Sequence, residues 1–198
     1  MSKIFIMRHG AVENPSATLY GTMPGYHLSL EGEAQAKAAG DFMNQFSLAA
    51  VISSSLERAM ETAHLVADDN PGDPQFFIDD RIIDAGFGKH VGMDVKEFDT
   101  NREHYFNLQL AHQDGMEHPQ AVADRMVEAA QEWAAKYPDQ NILFVSHGDP
   151  IAFFLAAVAN TDLLPAATQQ YPKKAGVYEI DLAAHKWENV FVPANSQF

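Results

Sequence analysis

Short, unbroken apolar runs alternate along this chain with longer stretches whose apolar positions recur every three or four residues. The runs suit strands buried on both faces and the periodic stretches suit amphipathic helices, so the alternation predicts βαβ units around a mostly parallel sheet. "KIFIM" reads as the first strand. "LSLEGEAQAKAAGDFMNQF" follows as a helix, with Ser29 placed to cap it and Leu30, Ala34, Ala38 and Phe42 repeating on one face. "LAAVISSS" is a buried strand, and "LERAMETAHLVADD" is a helix stopped by "NPGDP". A short "FFI", a glycine-rich turn "DAGFGKHVG" and a variable helical stretch over 94–111 come next. "HPQAVADRMVEAAQEWAAKYP" is a long helix, and "NILFVSHGDP" is a central strand opening into the buried helix "IAFFLAAVAN". "AGVYEIDLAAHKWENVFV" reads as two strands around a short turn, an antiparallel edge to the sheet. Residues after Pro193 are expected to fray.

No repeat, linker or low-complexity tract interrupts this order, and 198 residues with 46% hydrophobic content suit one domain, 1–198. No run reaches the length of a membrane span, and the first apolar run is too short for a signal peptide. A cytoplasmic location is therefore expected. The absence of cysteine fits a reducing compartment and removes thiolate chemistry and cysteine metal sites, leaving His, carboxylates, hydroxyls and Arg. A formal net charge of -14 repels nucleic acid and anionic membrane, so neither is an expected partner. An anionic ligand needs a local basic pocket.

Such a pocket is foreshadowed where strands end. "IFIMRHG" and "LFVSHG" each deliver a His and a Gly to the carboxyl edge of the sheet, where open α/β sheets place their ligands. Parallel pairing would bring His9 and His147 together, with Arg8 beside them. Most of the nine histidines are read as surface or satisfied core residues; the repeated strand-His-Gly context sets this pair apart. Arg58 stands in the first turn of the helix after another strand, against the preference of that end for anions. A helix N-terminus with an Arg suits phosphate.

"MRHG", "SSxxxRAxxTA" (Ser53, Ser54, Arg58, Ala59, Thr62, Ala63), an "FG" turn and "SHG", in this order, resemble the histidine phosphatase superfamily, also called phosphoglycerate mutase-like. The resemblance runs from about Lys3 to Pro193. It implies an α/β fold, a three-layer α/β/α sandwich with a mostly parallel central sheet and an antiparallel edge strand. It further implies that His9 is a nucleophile forming a phosphohistidine, and that Arg8, Arg58 and His147 hold the phosphoryl oxygens. No metal and no other cofactor is required. The chemistry agrees: a neutral imidazole can attack phosphorus in line, and guanidinium groups stabilise the equatorial charge.

The leaving alkoxide needs a proton. Many members of the family carry a Glu three residues before the aromatic of the "FG" turn, and Asp84 stands there in this chain. Asp84 is the first choice for the acid. Asp149 competes, since another branch has an Asp directly after the second His, although Gly148 intervenes here. Asp149 followed by Pro150 also matches a helix cap and first helical residue, which is the preferred reading. Asn14, His118 and Gly148 are candidate substrate contacts; His118 reads equally as an exposed loop residue. Tyr20 and His27 are possible walls of the pocket, and Arg81 and Arg125 are structural ion-pair residues.

The leading expectation is a metal-independent phosphatase of small phosphate monoesters, a histidine acid-type phosphatase. Phosphoglycerate mutase-type transfer and a phosphate-binding module with degenerate catalysis are the alternatives. "DAGFGKHVG" lacks the "ERHYG"-type turn of the mutases. The physiological substrate and the oligomeric state are not legible.

Overall fold

A computed structural model describes residues 3–101, 107–164, 169 and 171–196. Six strands form one sheet in the order β3-β2-β4-β1-β5-β6: β1 Ile4–Arg8, β2 Leu48–Ser53, β3 Gln75–Ile78, β4 Asn141–Ser146, β5 Val177–Asp181 and β6 Lys186–Phe191. The first four pair in parallel, whereas β5 lies antiparallel to β1 and β6 antiparallel to β5. The antiparallel edge thus comprises both strands of the closing hairpin.

Alternation within the strands feeds two cores. Ile6, Ile52, Ile142 and Phe144 face one side, against the long helix α5 (Pro119–Lys136) and α6 (Gly148–Val158). Phe5, Met7, Val51, Leu143 and Val145 face the other, against α1 (Leu30–Met43) and α2 (Glu57–Ala67). Fully burying each such side chain contributes about 1.5–3 kcal/mol. A third cluster, with Leu19, Phe87, Phe98 and Met116, supports the loops over the carboxyl edge. It includes the short helix α3 (Val95–Thr100) and reaches α4 (Leu108–Gln113); between them, 102–106 of the expected helical stretch lies outside the described residues.

Three local expectations are corrected. Ser29 caps α1, accepting from Gly32 N–H at 3.1 Å, but the helix does not bury Leu30, Ala34, Ala38 and Phe42 as its face. Leu30 is 85% exposed, and the buried positions are Gly32, Gln35, Ala36, Ala39, Gly40 and Met43. Small residues let this helix approach its neighbours closely, a signal that apolar periodicity does not register. In α6 the cap is His147, with extended backbone, so Asp149 is the second helical residue and Pro150 the third. Proline fits there because amides in a first turn lack helical acceptors. Finally, the chain beyond Pro193 is tied down as far as Ser196: Gln35 Nε2 donates to Asn195 O, and Ser196 Oγ donates to Lys174 O.

Candidate active site

The site forms where helices diverge. The chain leaves β1 towards α1 on one face and leaves adjacent β4 towards α6 on the other, opening a crevice at the carboxyl ends. Parallel register opposes Arg8 to Ser146, and His9 N–H donates to Ser146 O at 3.0 Å. The rings of His9 and His147 consequently lie 5.2 Å apart, centroid to centroid, tilted by 57°. Both are buried.

A hydrogen bond sets the tautomer of His9. His9 Nδ1 is 2.7 Å from Gly10 O, and because a carbonyl only accepts, Nδ1 carries the hydrogen. The lone pair is then on Nε2. Burial, then Arg58 and Arg8, hold the His9 pKa well below the ordinary histidine value. His147 Nε2 lies 2.8 Å from Ser54 Oγ, which already accepts from Leu56 N–H at 3.3 Å. When the Ser54 hydroxyl hydrogen goes to Nε2, the ring carries its N–H at Nδ1, on the side of Asp84 Oδ2. Burial, reinforced by Arg58, lowers the His147 pKa strongly as well, so both rings are neutral near pH 7.

Arg58, in the first turn of α2, is entirely buried. Its Nη2 donates to Gly21 O at 2.7 Å and to Asp84 Oδ2 at 3.1 Å, and Tyr20 covers the guanidinium at 4.6 Å. Arg8 Nη1 donates to Pro172 O at 2.9 Å, and its guanidinium lies 4.9 Å from the Tyr171 ring. Among the described residues, Arg8 Nε, Arg58 Nε and Nη1, and His147 Nδ1 are buried without a hydrogen-bond partner. A cluster of such donors suits the oxygens of a phosphoryl group, which has several acceptors to offer.

Asp84 belongs to the same cluster. Its Oδ2 meets Arg58 and lies 3.9 Å from His147 Nδ1, while Oδ1 accepts from Ala85 N–H at 2.9 Å. Burial raises its pKa against the opposing pull of Arg58. Arg125 fixes the segment: it ion-pairs with Glu117 and donates to the carbonyls of Arg81, Ile83 and Asp84. Arg81 pairs with Asp79 and Glu132. Asp149 is buried in the first turn of α6, directly after Gly148. Gly148 itself admits the Tyr171 hydroxyl so closely that a Cβ would lie 2.0 Å from it.

The structure thus brings His9, Arg8, Arg58, His147, Asp84 and Gly148 together and treats two other candidates differently. Asn14 spends its amide within its own loop, donating to Thr18 O and accepting from Thr18 N–H. His118 is the exposed cap of α5, its Nδ1 accepting from Gln120 N–H. Of the two suggested walls, Tyr20 covers Arg58 whereas His27 pairs with Glu61 at the surface.

The model of the histidine phosphatase superfamily (branch 1) matches residues 4–194. The chain belongs to this superfamily. Among its curated relatives, a glucosyl-3-phosphoglycerate phosphatase of Mycolicibacterium vanbaalenii is 29% identical over 92% of this chain and 84% of that protein. An uncharacterised protein of Mycobacterium tuberculosis is 47% identical over 66 residues, so the matched segment spans only 33% of that relative's length and 33% of this chain. The solved structure of Bacillus stearothermophilus YhfR superposes with a TM-score of 0.81 at 22% identity, covering 96% of each chain, a likeness of fold.

For this histidine phosphatase superfamily member, further residues support the site, some of them outside the quoted motifs. Gln35 accepts from Ala11 N–H at 2.9 Å and so steadies the loop after His9. Thr62, inside the second motif, accepts from Gly10 N–H at 3.1 Å and donates to Arg58 O at 2.7 Å, joining the segments that carry His9 and Arg58. Tyr171 and Lys174 have no sequence signal; they are near only because the chain returns to β1 through β5.

Proposed function

We propose that this chain is a phosphatase that hydrolyses small phosphate monoesters through a phosphohistidine on His9. The observation that carries the reading is the His9 tautomer, a buried neutral ring with its Nε2 lone pair among the buried donors of Arg8, Arg58 and His147. In the first step the Nε2 lone pair attacks phosphorus. The bond to the ester oxygen breaks, and that oxygen takes the proton of Asp84. In the second, Asp84 carboxylate removes a proton from water, the hydroxide attacks phosphorus, and the P–N electron pair returns to Nε2. Arg8, Arg58 and His147 stabilise the equatorial oxygens throughout.

The two pKa shifts serve this cycle. The reaction needs His9 without its extra proton and Asp84 with one, and burial moves the two values towards each other from opposite sides. A larger fraction of the protein then holds the productive pair, and a bound phosphate dianion raises Asp84 further. His9→Ala is expected to abolish turnover of p-nitrophenyl phosphate while unfolding as cooperatively as the parent. Rapid-quench labelling of the parent should give an acid-labile, alkali-stable phosphoryl adduct mapping to His9. Retained turnover in His9→Ala would sink the mechanism.

A further inference from the structure

Asp84 stands in a stretch of chain that is neither helix nor strand, between the tight turn Asp80–Ile82 and Phe87. Side chains hold this stretch instead. Arg125 Nη1 donates to Arg81 O at 2.6 Å and to Ile83 O at 2.9 Å, Arg125 Nη2 donates to Asp84 O at 3.2 Å, and Ser146 Oγ donates to Ile82 O at 2.7 Å. Arg125 is itself aimed by Glu117, whose Oε1 accepts from Nε at 2.8 Å and whose Oε2 accepts from Nη2 at 3.0 Å. Glu117 also grips the far end of the stretch: its Oε2 accepts from Gly86 N–H at 3.2 Å, and its own N–H donates to Gly86 O at 2.7 Å.

As a structural ion-pair residue, the role expected from sequence, Arg125 would need only Glu117. Its three nitrogens instead make five hydrogen bonds, matching the N–H groups a guanidinium has, and three of the five go to carbonyls around one carboxylic acid. Asp84 is one methylene shorter than a glutamate, so a shift of its backbone passes almost undiminished to its carboxyl group. That group is placed closely, with Oδ2 3.1 Å from Arg58 Nη2 and 3.9 Å from His147 Nδ1. A misplacement of about 1 Å can cost a reaction on the order of 10²-fold. We propose that Arg125, aimed by Glu117, is a positioning residue that sets the reach of Asp84 to the ester oxygen. A lysine there would supply the charge without the planar fork that spans three carbonyls. This inference rests on the phosphatase reading above, with Asp84 as its acid.

Propyl phosphate and p-nitrophenyl phosphate test it, since only the first depends strongly on a well-placed proton. Arg125→Gln is expected to lower kcat/KM on propyl phosphate by about 10–10²-fold more than on p-nitrophenyl phosphate. Arg125→Lys should recover little of that difference. With Asp84→Asn already in place, Arg125→Gln should leave the ratio between the two esters unchanged, because the proton donor it positions is gone. Equal losses on both esters, full rescue by lysine, or the same change of ratio with and without Asp84→Asn would each overturn the inference and leave Arg125 a structural residue. Glu117→Gln is the milder change and decides the matter if the Arg125 variants do not fold: it should shift the ratio in the same direction, and an unchanged ratio would overturn the inference. If Asp84→Asn alone keeps the parent's ratio, this inference falls with the acid assignment while the phosphatase reading stands. A parent inactive on both esters would refute the phosphatase reading itself, and this inference with it.

Discussion

A carboxylic acid that protonates a leaving group must hold its proton where the enzyme works, and must reach the ester oxygen. Burial raises the pKa of Asp84, in the direction of the first demand, and the side chain sits against Arg58 and near His147. Asp149 has a second explanation, because a negative charge in the first turn of α6 is favoured by the helix dipole. Asp84→Asn is accordingly expected to slow esters of poor alkyl leaving groups by about 10²–10⁴-fold and p-nitrophenyl phosphate far less. Asp149→Asn should leave the ratio between those substrates unchanged and cost about 0.3–2 kcal/mol of stability. The opposite pattern, with leaving-group dependence only in Asp149→Asn, would move the acid role to Asp149. At this scale the sequence was legible where a side chain ends a strand or follows it directly, as at Arg8, His9 and His147. It was illegible where proximity depends on a distant return of the chain, as for Tyr171 and Lys174, or on capping geometry, as at Asp149.

Among the elements, strands were easier to read than helix faces. The continuous apolar run of β4 has one meaning whichever way it is turned, since both faces of a central strand are buried. Helix α1 shows the contrary case: its small residues, with Met43, face inward, while Leu30 faces solvent. A Cβ at Gly32 would lie 1.9 Å from the Ala11 carbonyl oxygen, and one at Gly10 would lie 2.4 Å from the Gly32 carbonyl oxygen. These backbones touch, and the contact supports the loop immediately after His9. Helix propensity alone favours Ala over Gly by about 0.8–1 kcal/mol. The clash with fixed backbone outweighs that gain, so Gly32→Ala should destabilise by about 1–3 kcal/mol and lower activity by displacing Gly10. Leu30→Ala, on the exposed face, should change stability by less than about 0.5 kcal/mol. Chemical denaturation of both variants checks the assignment; a larger loss from Leu30→Ala than from Gly32→Ala would restore the face that apolar periodicity suggests.

Across the whole molecule, an acidic surface surrounds a buried site that keeps two histidines neutral, and the pH dependence of folding should report it. No helix among the described residues is long and apolar enough to cross a membrane. His9 and His147 have folded pKa values below the unfolded value of about 6.5. Below that pH the unfolded chain binds more protons than the folded one, so stability falls as pH falls. Each ring contributes up to about 1.4 kcal/mol per pH unit to that slope, with the full value reached well under pH 6.5. Asp84 acts in the other direction: its raised value makes the folded state bind the extra proton, so its contribution is lost as pH rises above about 3.9. Relief of repulsion among the surface carboxylates also favours the folded state on acidification. The total slope therefore mixes signs, but a difference between parent and variant does not. In His9→Ala the Asp84 and surface contributions largely cancel, and the variant should lose less stability than the parent between pH 7 and pH 5. Denaturant titrations at several pH values give that difference directly; parallel stability curves for parent and His9→Ala would mean that His9 is not held neutral by its surroundings.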